Sequence, residues 1–367
     1  MLTNCLPVSS GRRGGAYLLK AIPNHFPYTS QLLDCRLLHE RRSVNEQAGC
    51  AAQNDEAQQQ RHVSKVRGKN APQYLDRGVV LGNKYRIEKM IGGGGFGQIY
   101  RATDIDKGTV VAAKVEPQSE DAARMVLEQR VLTKLLGTRH SPKLYASGWH
   151  NNYNYIVMQM LGRNLTELRK AHLERRFSVH TTIRVGIQAV EALKCVHDLG
   201  YLHRDVKPSN MCVGIGEHRR IIYLVDFGMT RRFRSSNGDL RKERAYAAFR
   251  GTMRYVSLAV HERKEQGPVD DLWSIYYTLI ELAEGSLPWR TFTEQDDIFQ
   301  LKRRLTYNEL SRYLPRHFEM FPVLLRNLNY TSTPDYTKLI EALKRCCKFV
   351  DEDADFEWDD ESSTKSH

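Results

Sequence analysis

The 367-residue chain reads as an α+β protein of two lobes, a small β-rich one followed by a larger helical one, behind an N-terminal extension. Three observations predict this. Alternating and short apolar runs, the signature of strands, fill residues 84–160, whereas helical periodicity takes over from Leu165. Residues 1–80 carry weak periodicity and polar clusters such as Gly11-Arg12-Arg13-Gly14-Gly15 and Gln58-Gln59-Gln60. Such a stretch buries too little apolar surface to offset its ordering entropy. The expected division is a disordered or weakly structured extension over 1–80, lobes over 84–160 and 161–358, and an acidic flexible tail over 359–367. Short helices near residues 17–22 and 31–39 fit the extension, and residues 74–80 are expected to lie against the first lobe.

Residues 85–91 alternate as a half-buried strand, and residues 98–102 resume as a second one. Between them lie Gly92, Gly93, Gly94, Gly95, Phe96 and Gly97, flanked by Ile91 and Ile99. A glycine hairpin of this kind lets backbone amides come close to phosphate oxygens. A strand follows it, not a helix, which argues against a dinucleotide-binding βαβ unit. Taken alone, an unliganded flexible hairpin explains the glycines equally well. Lys114 interrupts the next apolar run, residues 110–115; an ordinary snorkelling lysine is the bland alternative. Residues 122–136 have helical periodicity, with Val126, Leu127, Val131, Leu132 and Leu135 on one side. Glu128 on that helix is the candidate ion partner of Lys114, with Glu120 as competitor. Residues 155–160 read as a buried strand containing Met158 and Gln159, broken by Gly162-Arg163-Asn164.

The second lobe opens with helical pattern over residues 165–197. The loop His203-Arg204-Asp205-Val206-Lys207-Pro208-Ser209-Asn210 follows. It supplies what phosphoryl transfer from a nucleotide requires: a carboxylate to take a hydroxyl proton, a cation for the moving phosphoryl group, and an amide oxygen for a metal. An apolar strand, residues 221–225, then ends at Asp226-Phe227-Gly228, where a carboxylate can meet a metal ion. Asp271 opens an apolar helix running to Leu282; it is expected to brace the catalytic loop through backbone hydrogen bonds, or to cap the helix. Residues 302–313 and 335–349 read as further amphipathic helices.

Together these motifs match the protein-kinase signature in order and spacing, so residues 84–358 resemble a bilobal protein-kinase fold. Val256-Ser257-Leu258-Ala259 stands where most such kinases carry A-P-E, and resembles the variant of the casein kinase 1 superfamily with one position changed. Gly162-Arg163-Asn164-Leu165, residues 250–255, Asp270-Asp271-Leu272-Trp273, Leu287-Pro288-Trp289-Arg290 and Asp355-Phe356-Glu357-Trp358 resemble the tau-tubulin kinase branch. The resemblance implies a serine/threonine kinase using ATP and Mg2+. In it Lys114 orients the first two phosphates and Glu128 fixes Lys114. Asp205 is the base, Lys207 neutralises the γ-phosphate, and Asn210 and Asp226 hold metal. Residues 91–97, Ile99, Met158 and Gln159 surround the nucleotide, Met158 limiting the depth of its pocket. Four successive glycines, Gly92–Gly95, depart from the usual pattern, as does Ala259.

Net charge is +12, which favours anionic partners. Residues 231–254 hold eight basic side chains and two acidic ones. The resemblance implies that Arg254 helps bind a substrate phosphate, so acidic or primed protein sites are the expected targets, with Lys302-Arg303-Arg304 as a second side of that pocket. Among the rivals, a pseudokinase scaffold for acidic partners lacks support, since every reacting group is present. A nucleic-acid binder lacks any recognised motif. The seven cysteines, an odd number without a C-x-x-C pair, suit a reducing compartment. With no apolar run long enough to span a bilayer and no secretory pattern, the cytoplasm is the expected location, with the nucleus open.

Overall fold

The computed structural model describes residues 72–94, 97–118, 123–348, 350–351 and 354–359. The expectations for residues 1–71, Gly95, Phe96, Glu120 and residues 360–367 lie outside the described residues. Those described belong to one compact unit, Val66–His367.

The first lobe is an antiparallel sheet of β1 (Val80–Leu81), β2 (Tyr85–Gly94), β3 (Gly97–Asp104), β4 (Val110–Pro117), β5 (Leu144–His150) and β6 (Tyr153–Gln159), in the order β1-β2-β3-β4-β6-β5. The sequence alternation becomes a two-faced sheet: in β3 every second side chain, including Tyr100 and Ala102, is buried. Those residues join Ile87, Val111, Ala113, Val115, Tyr155 and Val157 in the small-lobe core. Tyr74 lies against this lobe as expected. Its ring stacks on Tyr153 at 5.1 Å, and its N–H donates to Gln98 Oε1 at 2.9 Å.

Helix α1 (Ala123–Lys134) leans on the sheet. It buries Met125, Glu128, Val131 and Leu132, while Val126, expected on the inner side, is 52% exposed. Glu128 displaces it because the inward stripe follows Lys114 as well as apolar neighbours.

The second lobe contains α2 (Leu165–Ala171), α3 (Val179–Asp198), α4 (Leu258–His261), α5 (Pro268–Glu284), α6 (Gln295–Arg304), α7 (Tyr307–Leu310), α8 (Met320–Leu325) and α9 (Tyr336–Lys344). It also carries the short paired strands β7 (Tyr201–Leu202), β8 (Met211–Val213), β9 (Ile222–Leu224) and β10 (Arg231–Arg232). The α3 and α5 faces meet in a core with Trp289, Phe318 and Phe321. The single stretch expected at 165–197 is two helices, divided where Ser178 caps α3 by accepting from Thr181 N. The helix expected over 302–313 is corrected: α6 begins at Gln295 and stops at Arg304. Thr306 and Glu309 then form a capping box that starts α7 afresh. The helix α9 is likewise shorter than the stretch 335–349.

The acidic C-terminal stretch is docked over residues 354–359. Arg184 donates to the carbonyls of Ala354 and Asp355 and stacks over the Phe356 ring at 3.9 Å. Phe356 is buried and stacks on Trp358 at 4.4 Å. Arg220 reaches Asp355 at 2.6 Å. Residues 354–359 therefore lie on a basic face made by α3 and the β8–β9 connection.

Candidate active site

The glycine hairpin joins β2 to β3 with Gly92 opposite Ile99, Gly93 opposite Gln98 and Gly94 opposite Gly97. A register shift between Met90 and Gly92 leaves Ile91 in a bulge. Gly97 has φ +147°, and a Cβ there would stand 2.5 Å from the Val115 carbonyl. A side chain is thus excluded by sterics as well as by backbone conformation. The sheet continues the row: Gly92 faces Ile99, Ile99 faces Lys114, and Lys114 faces Ile156. This register carries Lys114 beneath the hairpin.

The Lys114 ammonium lies 2.6 Å from Glu128 Oε2, 3.0 Å from Asp226 Oδ1 and 3.4 Å from Glu116 Oε1. Burial opposes its charge, but the carboxylates of Glu128, Asp226 and Glu116 outweigh burial and hold the lysine above its ordinary value. Burial likewise works against ionised Asp226, yet Lys114 outweighs it and keeps the carboxyl below the usual range. Glu128, completely enclosed, is raised by burial despite Lys114. Sequence reading identified Glu128 and missed Glu116. The signal was available, since Glu116 lies two residues after Lys114 on one strand and so shares its face.

Met158 and Gln159 end β6, where Met158 faces Ala112 and Gln159 faces Val111. The crossing segment is tied to the second lobe: Gly162 N donates to Val213 O at 2.8 Å, and Val213 N returns a bond to Arg163 O at 3.1 Å. β8 therefore fixes the connection between lobes just beyond Asn210.

The catalytic loop hangs on Asp271. Its Oδ2 accepts from His203 N at 2.7 Å, and its Oδ1 accepts from Arg204 N at 2.8 Å. Oδ2 also meets His197 Nε2 at 2.9 Å. Burial disfavours this carboxylate, but the His197 hydrogen bond and neighbouring positive groups outweigh burial and hold its pKa low. The bracing role expected of Asp271 is thus present. The neighbouring Asp270 caps the helix instead, with Oδ2 on Gly267 N at 2.7 Å.

Lys207 Nζ donates to Asp205 Oδ2 at 2.7 Å, and Asn210 Nδ2 donates to the same oxygen at 3.2 Å and to Asp205 O at 2.9 Å. Thr252 Oγ1 donates to Asp205 Oδ1 at 2.7 Å and accepts from Lys207 at 3.1 Å. The contact of Thr252 with Asp205 depends on Gly251. There φ is +115°, and a Cβ would stand 2.7 Å from Arg204 O.

Val225 N donates to Asn210 O at 3.0 Å, which sets Asp226 beside the loop. Asp226 takes left-handed backbone angles, φ 66° and ψ 69°, that turn the chain out of β9. The Asn210 amide nitrogen is spent on Asp205, leaving its oxygen available. With the Asp226 carboxylate this makes a hard oxygen donor pair of the kind that fits Mg2+. Among the described residues no group of three or more His, Cys, Asp or Glu forms a metal cage.

Arg254 is half-buried, and its guanidinium touches Arg290 O at 3.4 Å. The expected second side of its pocket needs correction at Lys302. That ammonium points inward and donates to Met253 O at 2.9 Å and Val256 O at 2.6 Å, beneath the segment and away from solvent. Nor is the basic segment all free charge: Arg231 and Arg244 both engage Glu265.

Among the described residues no helix is long and apolar enough to cross a membrane. The chain is 41% identical over 285 residues to a probable serine/threonine-protein kinase of Dictyostelium discoideum, covering 77% of this chain and 58% of that one. It is 40% identical over 275 residues to a putative casein kinase I of Caenorhabditis elegans, covering 73% and 81% respectively. It is 36% identical over 293 residues to a putative serine/threonine-protein kinase of the same worm, covering 78% and 83%. This chain thus spans little more than half of the Dictyostelium relative. The sequence model of the protein kinase domain matches residues 85–350, and with a two-lobed fold enclosing the Lys114 and Asp205 clusters, the chain belongs to the protein kinase family.

Proposed function

We propose that the protein is a serine/threonine kinase that transfers the γ-phosphate of ATP to protein hydroxyls, preferring acidic or already phosphorylated sites. The observation that carries this reading is the contact of Lys114 with both Glu128 and Asp226, groups from the sheet, the α1 helix and the second lobe. It fixes the Lys114 ammonium against Asp226, whose neighbour Val225 is hydrogen-bonded to Asn210 of the Asp205 loop.

In this reading Lys114, oriented by Glu128, holds the first two phosphates beneath residues 91–97 and Ile99, with Met158 and Gln159 beside the base. Asn210 and Asp226 would hold Mg2+, which would supply neutralising charge at the phosphates. Asp205 orients the substrate hydroxyl and accepts its proton as oxygen bonds to the γ-phosphorus and ADP leaves. Lys207, 2.7 Å from Asp205, balances negative charge on the transferred group. Thr252 holds the Asp205 carboxylate so that Oδ2 faces Lys207. Arg254 supplies charge-assisted hydrogen bonds to an acidic or phosphorylated substrate residue.

Affiliation with the casein kinase 1 superfamily is supported by the similarity to a putative casein kinase I, and the tau-tubulin branch within it by the sequence motifs alone. The test is transfer of labelled γ-phosphate from Mg-ATP to casein, an acidic peptide and a neutral peptide, with Asp205→Asn beside wild type. Transfer that disappears in the variant supports the assignment. Absence of both transfer and ATP binding in folded wild type overturns it, and equal kcat/KM for the two peptides overturns the substrate preference.

A further inference from the structure

Lys302 is a lysine buried without a counter-ion. It lies in the last turn of α6 and is 5% exposed. Burial alone acts on its charge and holds its pKa well below the ordinary lysine value; no carboxylate among the described residues stands close enough to oppose that. Its surroundings are two backbone carbonyls, His261 Nε2 at 3.3 Å, and the faces of Tyr277 at 4.6 Å and Trp289 at 5.3 Å. An apolar side chain would fill such a place more favourably, because an unpaired buried charge is destabilising. What a lysine adds there is its N–H groups.

Those N–H groups meet the carbonyls on either side of Arg254, Met253 O at 2.9 Å and Val256 O at 2.6 Å. The carbonyl of Arg254 itself accepts from Trp289 Nε1 at 2.9 Å. None of the three is engaged in a helix or strand, so each needs a donor from elsewhere in the lobe. Within the turn, Tyr255 N and Val256 N both donate to Thr252 O, at 2.8 and 3.2 Å. The backbone of residues 252–256 is thus tied both from within and from below.

The Arg254 side chain leaves this clamped turn toward the surface, where its guanidinium reaches Arg290 O at 3.4 Å. Trp289 and Arg290 are adjacent, so the carbonyl and the guanidinium of Arg254 are both referred to one short stretch of chain. A charged side chain on a fixed backbone loses less freedom when it closes on a ligand than one on a loose backbone.

We propose that Lys302 and Trp289 are positioning residues for substrate selection. Neither touches the substrate; by holding the carbonyls of Met253, Arg254 and Val256 they keep Arg254 where it can receive an acidic or phosphorylated side chain. The inference rests on the substrate preference proposed above for Arg254. With the clamp loosened, Arg254 keeps its charge but has to be ordered by the substrate itself, and discrimination falls.

The experiment measures kcat/KM on an acidic and a neutral peptide for the full chain, for Lys302→Met, for Arg254→Ala and for the two combined, with circular dichroism melts reporting the fold. The acidic-to-neutral ratio should fall about tenfold in Arg254→Ala, the worth of a charged hydrogen bond, and by about three- to tenfold in Lys302→Met. The combined variant should fall no further than Arg254→Ala, because the lysine acts through the arginine. A role in stability alone would lower the melting temperature and leave the ratio where it was. Folded Lys302→Met with the wild-type ratio, or losses that multiply in the combined variant, would overturn the inference and leave the substrate preference standing. A wild-type ratio of about one, or a ratio unchanged in Arg254→Ala, would remove the preference and this inference together. Should Lys302→Met fail to fold, Trp289→Phe, which deletes the indole N–H and keeps a ring, carries the same expectations and decides the matter.

Discussion

Thr252 donates its hydroxyl to Asp205 at 2.7 Å, although 47 residues of chain separate the two. Lys207 donates both to the other Asp205 oxygen and to the Thr252 hydroxyl, so the carboxylate, the ammonium and the hydroxyl form a closed triangle. Thr252→Ala should free the Asp205 carboxylate to rotate and lower kcat by about 10–100-fold, because small misplacement of a reacting group is costly. Thr252→Ser should retain most of the rate, and KM for ATP should hardly move. Unchanged kcat in Thr252→Ala would remove the positioning role.

Lys114 lies within ion-pair distance of Glu116, Glu128 and Asp226. Lys114→Met should lower kcat/KM about 10²–10³-fold and destabilise the fold by about 3–5 kcal/mol, since buried carboxylates lose their counter-charge. Those carboxyls would then bind protons more readily in the folded than in the unfolded state. The deficit relative to wild type should therefore shrink as pH falls from neutrality toward about 5. Thermal melts at several pH values check the sign; a deficit that grows on acidification contradicts the account.

His261 is pushed down to about 4 from 6.5, by burial first and then by Lys302, whose Nζ lies 3.3 Å from its Nε2. Its folded pKa lies below its unfolded one, so between pH 4 and 6.5 the unfolded chain binds the extra proton. The contribution of neutral His261 is complete above pH 6.5 and falls as pH drops through that window. His261→Phe should flatten that part of the Tm-against-pH curve; parallel curves for variant and wild type would refute the assignment.

Arg254 reaches the surface with its guanidinium on Arg290 O. Arg254→Ala should reduce kcat/KM for an acidic or primed peptide about tenfold, the worth of a charged hydrogen bond, and leave a neutral peptide nearly unaffected. An equal loss for both peptides would indicate a structural role for this arginine.

Phe356 is 1% exposed, under Arg184 and against Trp358. Phe356→Ala should cost about 3–5 kcal/mol, as for other buried phenylalanines, with kcat and KM for ATP preserved at temperatures where the variant stays folded. Chemical denaturation measures the first and kinetics the second. A loss well under 1 kcal/mol would show that the C-terminal stretch is not part of the lobe.

What the sequence determined by itself was local and periodic. Alternation in residues 85–104 specified strands because side chains on a strand repeat every two residues, and the glycine run specified their hairpin. The Lys114–Glu128 pair could be expected from order and spacing, as could the bracing role of Asp271. Helix limits were less legible: the capping box at Thr306–Glu309 outweighed the apolar pattern that ran across it. Tertiary structure alone decided the rest, because distance along the chain says nothing about which polar groups share a buried space. Lys302 belongs to a basic triplet in sequence, yet the backbone carbonyls of Met253 and Val256 and the faces of Tyr277 and Trp289 draw its ammonium inside. Thr252 reached Asp205 for the same reason. Each follows from how separate elements pack, and none is written in the residues nearby.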